Sequence, residues 1–429
     1  MGIGLDAGSG SAPHPSTPQS NRVSGRAAPP LTFATHASIA EIARAEWERL
    51  LPGEPESWGF YCAGEQAPPP GFRLGAMSAR LRGDLVGAAP LFRVAYRIDT
   101  PFQGRARAFG NWLHQRWPRL VTLPVIGLGS PMSDNCALGF APQLSSAERA
   151  VVLDGLLSAL WQESRATNSA LIAVKSLDAV AAPLEMTLRR RGYNRVTSVP
   201  LVMLDLTART LDHYLDGLPE KTGAYLRRKM RAADKVRIEY RDSVDGLEQR
   251  LHQLFDNTLA QSGVDYGDFE KLHPAYFSQV LHRLGDRAKL MLCWRGEELL
   301  SFQLFLVGDK RVLAKQIGMQ YPEARELNLY FVNWLKLIEF AITHKIPRVE
   351  MGATTYHTKL LFGGYLERRW LHFRFRAGAT NHLLRPLAPL FDFERNDPEL
   401  QRLDPEHARA MERRLRRWAR DEAGVACRR

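Results

Sequence analysis

The chain has 429 residues, of which 45% are apolar and 24% are charged, which is typical of a soluble globular protein with about two domains. No run of about 18 or more uncharged apolar residues occurs, so the sequence predicts no transmembrane helix. The four cysteines lie far apart, which argues against a zinc ribbon, an iron–sulfur cluster and a disulfide scaffold, and no metal site is predicted. No basic segment followed by an apolar one is found near the first residue, so a cytoplasmic location is expected.

The net charge of +12 is concentrated in two segments. Residues 219–237 contain seven basic and two acidic side chains, and residues 409–429 contain eight arginines and three acidic side chains. Clustered positive charge attracts a phosphate-bearing cofactor, an acidic lipid or another polyanion. An equally weighted alternative is a solvated helix face without a ligand.

In chain order, residues 1–31 are rich in Gly, Ser, Pro and Ala and are predicted to be a disordered tail. A helix begins near Ser38, and a hairpin follows with its turn at Arg82-Gly83-Asp84. Few elements are predicted in residues 97–145, which are rich in Gly, Pro and Arg. A capping box at Ser145 and Glu148 then predicts a helix start. The elements predicted after it are a strand at 171–174, a helix at 183–191 and a strand at 197–206.

The second half of the sequence repeats this order. It predicts a basic helix at 221–235, two further helices, and a three-stranded meander with its first turn at Arg295-Gly296-Glu297. The elements predicted after the meander are a helix at 327–343, a strand at 348–352, a short helix around 356–362 and a strand near 371–376.

The two hairpin turns are 213 residues apart, whereas the late glycines Gly192 and Gly363 or Gly364 are about 172 apart. The sequence therefore predicts a duplicated α/β unit with a mixed sheet, and an insertion of roughly 40 residues at about 97–145 in the first copy. The predicted domains are a tail at 1–31, a first domain at 32–206, a second domain at 207–385 and a basic helical segment at 386–429.

The C-terminal segment predicts a basic amphipathic helix. Asp404 is a suitable N-cap with Pro405 at the first helical position, and an apolar stripe from Ala408 to Trp418 is surrounded by arginines. Such a helix suits an anionic membrane surface, and packing onto the body of the same protein is the alternative.

The order of a hairpin meander followed by helix, strand, helix and strand resembles the GNAT N-acyltransferase fold. Two such units in one chain resemble the Fem-type peptidoglycan-bridge enzymes and related bacterial GNAT-like N-acyltransferases. The closest local match is Val349-Glu350-Met351-Gly352, followed by Tyr356-His357-Thr358-Lys359 and Phe362-Gly363-Gly364-Tyr365. The basic helix at 226–231 also resembles the Arg-rich start of the second domain in that family.

The resemblance implies transfer of an acyl or aminoacyl group to an amine by the second domain, with the first domain shaping the acceptor site. The expected donor is an acyl-CoA co-substrate, with no permanently bound cofactor and no sequence-specific nucleic acid. Many single-domain GNAT enzymes bind the pyrophosphate of coenzyme A with a glycine-paired turn, which is absent from Gln316–Pro322. An aminoacyl-tRNA donor therefore stays open, as does a non-catalytic module that binds an anionic envelope precursor.

Acyl transfer to an amine needs a base, a proton donor for the leaving group and dipoles for the oxyanion. Glu350 is the candidate base, with an ion pair to Arg348 or Lys345 as its structural alternative. Tyr356 and His357 are candidate proton donors. The candidate cofactor-binding residues around the strand-to-helix turn and the short helix are Gln316, Gly318, Asn328 and Lys359. The candidate acceptor-binding or anion-binding residues are Arg227, Arg228, Arg231, His372 and Arg374.

Overall fold

The computed structural model describes residues 31–97, 104–117, 121–178, 180–262, 271–403, 406–407 and 409–411. The predicted tail and most of the predicted C-terminal helix lie outside these residues. Leu31, which was predicted to end the tail, begins a strand instead.

The described residues of the first half form eight strands and five α-helices. In chain order these are β1 (Leu31–His36), α1 (Arg44–Leu50), α2 (Trp58–Gln66), β2 (Arg73–Leu81), β3 (Asp84–Arg97), α3 (Gly104–Arg116), β4 (Thr122–Leu128), β5 (Gly139–Phe140), α4 (Ser146–Ala166), β6 (Leu171–Leu177), α5 (Ala182–Arg190), β7 (Asn194–Thr197) and β8 (Leu201–Asp205).

The second half follows with seven strands and ten helices among the described residues. They are α6 (Leu211–Asp216), α7 (Glu220–Met230), β9 (Arg237–Arg241), α8 (Glu248–Ser262), α9 (Tyr276–Leu284), β10 (Ala288–Arg295), β11 (Glu298–Val307), β12 (Val312–Met319), α10 (Glu323–Glu326), α11 (Leu329–Thr343), β13 (Arg348–Gly352), α12 (Tyr356–Leu361), β14 (Tyr365–Glu367), β15 (Trp370–Phe375), α13 (Gly378–Leu384), α14 (Phe393–Asn396) and α15 (Pro398–Arg402). Short 3-10 helices occupy Ile39–Glu41, Arg231–Lys235, Gly285–Arg287 and Arg385–Phe391.

The strands form two mixed sheets with the same internal plan. The first sheet has the order β1-β2-β3-β4-β6-β15-β7, with β5 paired to β3, and the second has the order β9-β10-β11-β12-β13-β8-β14. In each sheet a meander leads into one parallel pair, β4 with β6 and β12 with β13, and the remaining pairs are antiparallel. The predicted duplication and mixed-sheet class are therefore confirmed.

Each sheet receives one strand from the other half of the chain. The strand β8, from the end of the first half, lies between β13 and β14 of the second sheet. The strand β15, from the end of the second half, lies between β6 and β7 of the first sheet. The single strand predicted at 197–206 is therefore wrong, because the chain leaves one sheet after Thr197 and enters the other at Leu201.

The two crossing segments run side by side and are hydrogen-bonded, because the backbone N–H of Ser198 donates to the carbonyl of Arg369 at 2.9 Å. One apolar core extends through both halves, from Ile39 near the start to Leu313 on β12. A second core lies between the second sheet and α11. The halves are thus joined by shared strands and by shared apolar packing, which fixes the side chains between them.

The stretch at 97–145 is not a plain insertion. It contains α3 and β4, and β4 is the counterpart of β12 by its position in the sheet. The extra length lies in the connection that carries α3 and in the long loop from Leu128 to Ser146. The capping box at Ser145 and Glu148 is confirmed, with both of its reciprocal hydrogen bonds formed.

Candidate functional site

The parallel strands of the second sheet separate soon after they pair. Only Val312 with Val349 and Leu313 with Glu350 are in register between β12 and β13. In the first sheet the corresponding strands, β4 and β6, keep four consecutive pairs up to Leu128. Backbone groups along the parting strands have no ladder partner on that side, so a fissure opens in the second sheet alone.

The backbone that leaves β13 is strained. Gly352 has φ of 72°, and Thr354 and Thr355 follow with φ of 64° and 51°. The left-handed region is unfavourable for a β-branched residue, and such strain concentrates at functional sites. The short helix α12 begins directly after these two threonines and aims Lys359 back toward the end of β13.

Glu350 is fully buried on β13 and faces the first half of the chain. Its Oε1 accepts a hydrogen bond from Nδ2 of Asn135 at 2.9 Å, and its Oε2 lies 3.4 Å from Nε of Arg311. Burial raises the pKa of Glu350, while Arg311 opposes the shift. The alternative of an ion pair with Arg348 or Lys345 is not found among the described residues, and Arg348 pairs with Asp205 on the neighbouring strand.

A network of buried charges links the two halves next to Glu350. Lys315 on β12 lies 2.7 Å from Oε1 of Glu56, and both side chains are 5% exposed. Glu56 also accepts a hydrogen bond from the hydroxyl of Ser133, whose carbonyl accepts one from Nζ of Lys175 at 2.5 Å. Burial opposes the charge of Lys315, but the Glu56 carboxylate raises its pKa, whereas burial lowers the pKa of Lys175.

Asp134 lies at the centre of these ammonium groups. Its charge acts on Lys175, Lys315 and Lys359. A Cβ placed on Gly352 would lie 3.6 Å from Oδ2 of Asp134, which sets this carboxylate beside the end of β13. Within the described part of the chain Asp134 makes no hydrogen bond and no ion pair within 4 Å, and it is only half-buried. It is therefore a carboxylate available to a bound molecule.

Lys359 lies across from Asp134, and the space between Asp134, Gly352 and Lys359 is called the crevice below. Its side chain is 5% exposed, and its Nζ donates to the carbonyl of Ala353 at 2.5 Å and lies 5.6 Å from the ring centre of Trp334. Burial lowers the pKa of Lys359 to about 7, against the opposing effect of Asp134. An amine with this pKa exchanges protons near neutral pH, which an ordinary surface lysine does not.

A cavity of about 350 Å³ adjoins the network on the side of the first half. Its polar wall includes Glu54, Asn135, Asp178, Arg311 and Arg369. Arg369 donates from Nε to Oδ1 of Asn135 at 2.8 Å, and Arg311 donates to Glu54 at 2.5 Å. The crevice around Asp134, the fissure and this cavity therefore meet where the two halves are joined.

The strand-to-helix turn offers a separate site for an anion. Among the described residues no side chain caps the 15-residue helix α11, and its N-cap residue, Asn328, has φ of 50°. Lys229 on α7 donates to Oδ1 of Asn328 at 2.6 Å and lies 5.2 Å from the ring centre of Phe331. Free N–H groups, the helix dipole and a nearby ammonium group together favour phosphate.

The other two residues predicted at this turn have packing contacts. Gln316 accepts a hydrogen bond from the hydroxyl of Tyr276 at 3.0 Å. Gly318 lies on β12 between β11 and α8. A Cβ added to it would lie 2.2 Å from the ring of Phe302 on β11 and 2.8 Å from the backbone of Leu254 on α8. Gly318 thus allows a close approach of strand and helix.

The two predicted proton donors on α12 point away from the crevice. Tyr356 is fully buried in the second core, and its hydroxyl donates to the carbonyl of Pro200 in the crossing segment at 3.2 Å. His357 is exposed, and its backbone N–H donates to Oε1 of Glu399 at 2.9 Å. The structure brings together Glu350 and Lys359 of the predicted residues, and it places Tyr356 and His357 elsewhere.

The predicted acceptor-binding residues do not form one group. Arg228 and Arg231 are exposed on the basic helix, and Arg227 pairs with Asp216. His372 and Arg374 lie on β15 in the first sheet. His372 is buried with Nε2 3.1 Å from Glu185, and Arg374 lies 4.2 Å from the ring centre of Trp161. Their partners are therefore internal.

Sequence reasoning missed Asp134, Lys175 and Lys315. Asp134 lies in a loop without periodicity, and the two lysines are isolated charges in strands that otherwise read as apolar. A charged residue in a buried strand was the available signal, since lysine is almost never buried without a partner.

Comparison with known proteins finds a matching family model and solved structures of similar fold. Residues 220–360 match the family model described as an acetyltransferase (GNAT) domain. The fold is similar to that of FemX, with a TM-score of 0.54, 12% identity, and 82% of this chain and 100% of FemX covered. A tandem GNAT protein from the clavulanic acid biosynthesis pathway is also similar, with a TM-score of 0.46, 12% identity, and 81% of this chain and 99% of that chain covered.

Among curated proteins, the chain is 22% identical over 290 residues to a Mycobacterium tuberculosis protein named "Putative 8-amino-7-oxononanoate synthase 2". That match covers 66% of this chain, and the chain spans 37% of the length of the relative. None of the described helices combines the length and apolar character that a membrane span requires. Residues 220–360 therefore match a GNAT acetyltransferase domain model, in a chain whose two-sheet fold is similar to that of FemX.

Proposed function

We propose that this protein transfers an acyl group from an acyl-CoA thioester to an amine, in the crevice between its two halves. The observation that carries the proposal is the fissure between β12 and β13, which opens beside the carboxylate of Asp134 and the buried amine of Lys359.

The donor would lie with its extended arm in the fissure. Between Leu313 and Met319, whose N–H donates to Thr258, the edge of β12 pairs with no described strand on the β13 side and would offer donors and acceptors to an extended chain. The N-terminus of α11, with Lys229 beside it, would hold the pyrophosphate. This turn lacks the usual glycine pair. The uncapped N-terminus of α11 and the ammonium group of Lys229 would instead supply the positive field that holds the pyrophosphate.

The acceptor would enter from the cavity on the side of the first half. A primary amine is an ammonium ion at neutral pH, and the carboxylate of Asp134 attracts it into the crevice. The amine must lose a proton before it attacks, and the carboxylate of Asp134, which makes no hydrogen bond within the described part of the chain, would take that proton. Glu350, held by Asn135 and Arg311, would fix the loop that carries Asp134.

The reaction forms a C–N bond and breaks the C–S bond of the thioester. The tetrahedral oxyanion would be stabilised by the ammonium groups around Asp134, and the departing thiolate would take a proton from Lys359. A pKa of about 7 makes the protonated form of Lys359 an efficient acid near neutral pH. Lys359 thus replaces Tyr356 and His357 in the role that the sequence assigned to them.

The test measures release of free coenzyme A thiol with acetyl-CoA or a long-chain acyl-CoA and a panel of primary amines. The variants are Asp134→Asn and Lys359→Met, and Lys310→Met in an exposed hairpin turn is the matched control. Each crevice variant should lower kcat/KM at least about 100-fold, and the control should leave it unchanged.

Full activity of both crevice variants would overturn the site assignment. If no acyl-CoA releases thiol and transfer from aminoacyl-tRNA is sensitive to ribonuclease, the proposed acyl-CoA donor is wrong and the proposed transferase activity stands. A thermal-shift titration with coenzyme A checks binding separately, because a ligand at 100 times its Kd stabilises the fold by about 2.7 kcal/mol.

A further inference from the structure

We propose that the amine acceptor is an amino acid, and that its carboxylate binds to Arg149 in the cavity beside the crevice. This inference rests on the proposed function, because it names the class of amine to which the acyl group is transferred. The cavity has a volume of about 350 Å³. That volume is at the low end of the range of about 300–1,000 Å³ that is usual for small-molecule sites, so it suits an acceptor of this size.

Two segments of the first half line the cavity and lead from the crevice to the starts of two helices. One segment, 135–149, begins next to Asp134 and ends in the first turn of α4. The other leads from Ser176, next to Lys175, to the first turn of α5. At the crevice end the two segments are joined, because the backbone N–H of Cys136 donates to the carbonyl of Ser176 at 3.0 Å. The cavity therefore connects the crevice with the N-termini of α4 and α5.

The helical end of the cavity is positively charged. The N–H groups in the first turns of α4, with 21 residues, and α5, with nine, favour an anion, and the N-cap residue of α5, Ala181, provides no side-chain cap. Arg149 lies in the first turn of α4, and its Nη2 donates a long hydrogen bond of 3.4 Å to the carbonyl of Pro142. The neighbouring carboxylate of Glu148 is used by the capping box with Ser145. Among the described residues no carboxylate lies within 4 Å of the Arg149 guanidinium group.

Three buried polar atoms of the cavity wall have no hydrogen-bond partner in the described part of the chain. They are the hydroxyl of Tyr61, Nε of Arg149 and Nε of Arg311. Tyr61 is 5% exposed, and its hydroxyl lies near Ser133 without a hydrogen bond to it. Nε of Arg311 lies within ion-pair distance of Glu350, at 3.4 Å, and is not hydrogen-bonded to it. All three atoms carry a hydrogen, and a buried donor without an acceptor is costly, so a ligand that supplies oxygen acceptors fits this wall.

The charges of the cavity wall select a ligand group with a single negative charge. The carboxylates of Glu54 and Glu56 each have a cationic partner within 2.7 Å, and Asp178 has the guanidinium group of Arg369 nearby. Arg149 is therefore the cation that the described wall leaves without a counter-charge. A carboxylate matches it in charge and in the planar geometry of two parallel hydrogen bonds. A phosphate group carries up to two negative charges at neutral pH and would leave one uncompensated.

The test compares amines that differ only in the carboxylate. Thiol release with an acyl-CoA is measured for β-alanine, γ-aminobutyrate and leucine, each against its amide, and for aminoethyl phosphate against β-alanine. In γ-aminobutyrate the carboxylate is remote from the amine and changes its basicity little, so this pair isolates recognition of the carboxylate. At least one acid should have a kcat/KM at least about tenfold above that of its amide, and aminoethyl phosphate should be no better than β-alanine.

Two variants assign the preference to the proposed residues. Arg149→Met removes the charge and should lower kcat/KM for the preferred acid at least about tenfold through KM, with the amide and the KM for acyl-CoA unchanged. Tyr61→Phe removes only the hydroxyl and should act in the same direction, by at least about threefold. Arg165→Met, at the exposed C-terminal end of α4, is the matched control and should behave as the unchanged protein does. Circular dichroism should be the same for all three variants.

Transfer to amines without preference for any acid over its amide would overturn this inference and leave the proposed transferase activity intact. So would a preference for aminoethyl phosphate, or an Arg149→Met variant that loses as much activity with the amide as with the acid. If no amine releases thiol from any acyl-CoA, the proposed function fails, and calorimetric titration with the three acids in the absence of a donor decides the inference separately. Binding of an acid that Arg149→Met abolishes would support the carboxylate site, and no binding of any of the three would overturn it.

Discussion

Replacing Lys359 with Met should make the protein more stable and inactive at the same time. Lys359 is buried, and burial lowers its pKa from 10.5 to about 7. Between these two values the unfolded chain holds one more proton at this residue than the folded chain. The free energy of unfolding therefore rises with pH across this range, and the residue costs most stability at pH 7 and below. Met fills a similar volume and carries no charge.

The size of the effect follows from the two pKa values. Each pKa unit corresponds to 1.36 kcal/mol, so Lys359 costs about 4 kcal/mol at about pH 7 and about 1 kcal/mol at about pH 9.5. Loss of the hydrogen bond to the carbonyl of Ala353 offsets about 1 kcal/mol of the gain at either pH. The Met variant should thus be more stable by about 3 kcal/mol near neutral pH and nearly equal to the unchanged protein near pH 9.5.

The assay is urea unfolding of both proteins at the two pH values, with thiol release measured on the same preparations. Lys310→Met provides the control, because Lys310 is exposed and its replacement should change stability by no more than about 0.5 kcal/mol. A Met variant that is less stable near pH 7, or a stability difference that does not depend on pH, would refute the assignment of a lowered pKa to Lys359.

Three further results are expected. Arg311→Met should destabilise the fold by about 3–5 kcal/mol in urea unfolding, because it leaves Glu350 buried without its counter-charge, and a change under 1 kcal/mol would contradict the pairing. Gly318→Ala should destabilise by about 1–3 kcal/mol or more, because its Cβ would lie 2.2 Å from Phe302; an unchanged Tm would contradict the close approach. With a hydrazide acceptor, which stays neutral, the transfer rate should fall as pH rises through about 7, and a flat profile would argue against Lys359 as the proton donor.

The duplicated plan was visible in the sequence because it is encoded locally. Gly83 and Gly296 both adopt positive φ, 90° and 59°, in equivalent hairpin turns, and turn chemistry of this kind depends on a few adjacent residues. The exchange of β8 and β15 was not visible, because an apolar strand fits either sheet equally well. The sheet that such a strand joins depends on packing against residues that are distant in the sequence.

The residues of the candidate site also fall into two groups, those that a local sequence pattern indicates and those that it does not. Glu350 was predicted because a carboxylate in an apolar strand is unusual, and Lys359 was predicted, as a cofactor-binding residue, because its segment resembles that of the Fem-type enzymes. Asp134 comes from the other half of the chain and from a loop without periodicity. Its importance arises only when the fold sets it among Lys175, Lys315 and Lys359, so no local pattern could indicate it.

The exchanged strands β8 and β15 also determine when each sheet can be completed during biosynthesis. The place between β6 and β7 is one strand wide, and the chain that fills it ends at Phe375, 178 residues after Thr197. At roughly 5–20 residues per second a ribosome needs about 10–35 seconds to make that interval. During this time the nascent first half carries two edges that only a later part of the same polypeptide satisfies. Until β15 has been made, the position between β6 and β7 is unfilled in the ribosome-bound chain. The first sheet is therefore completed only when nearly the whole protein has been synthesised.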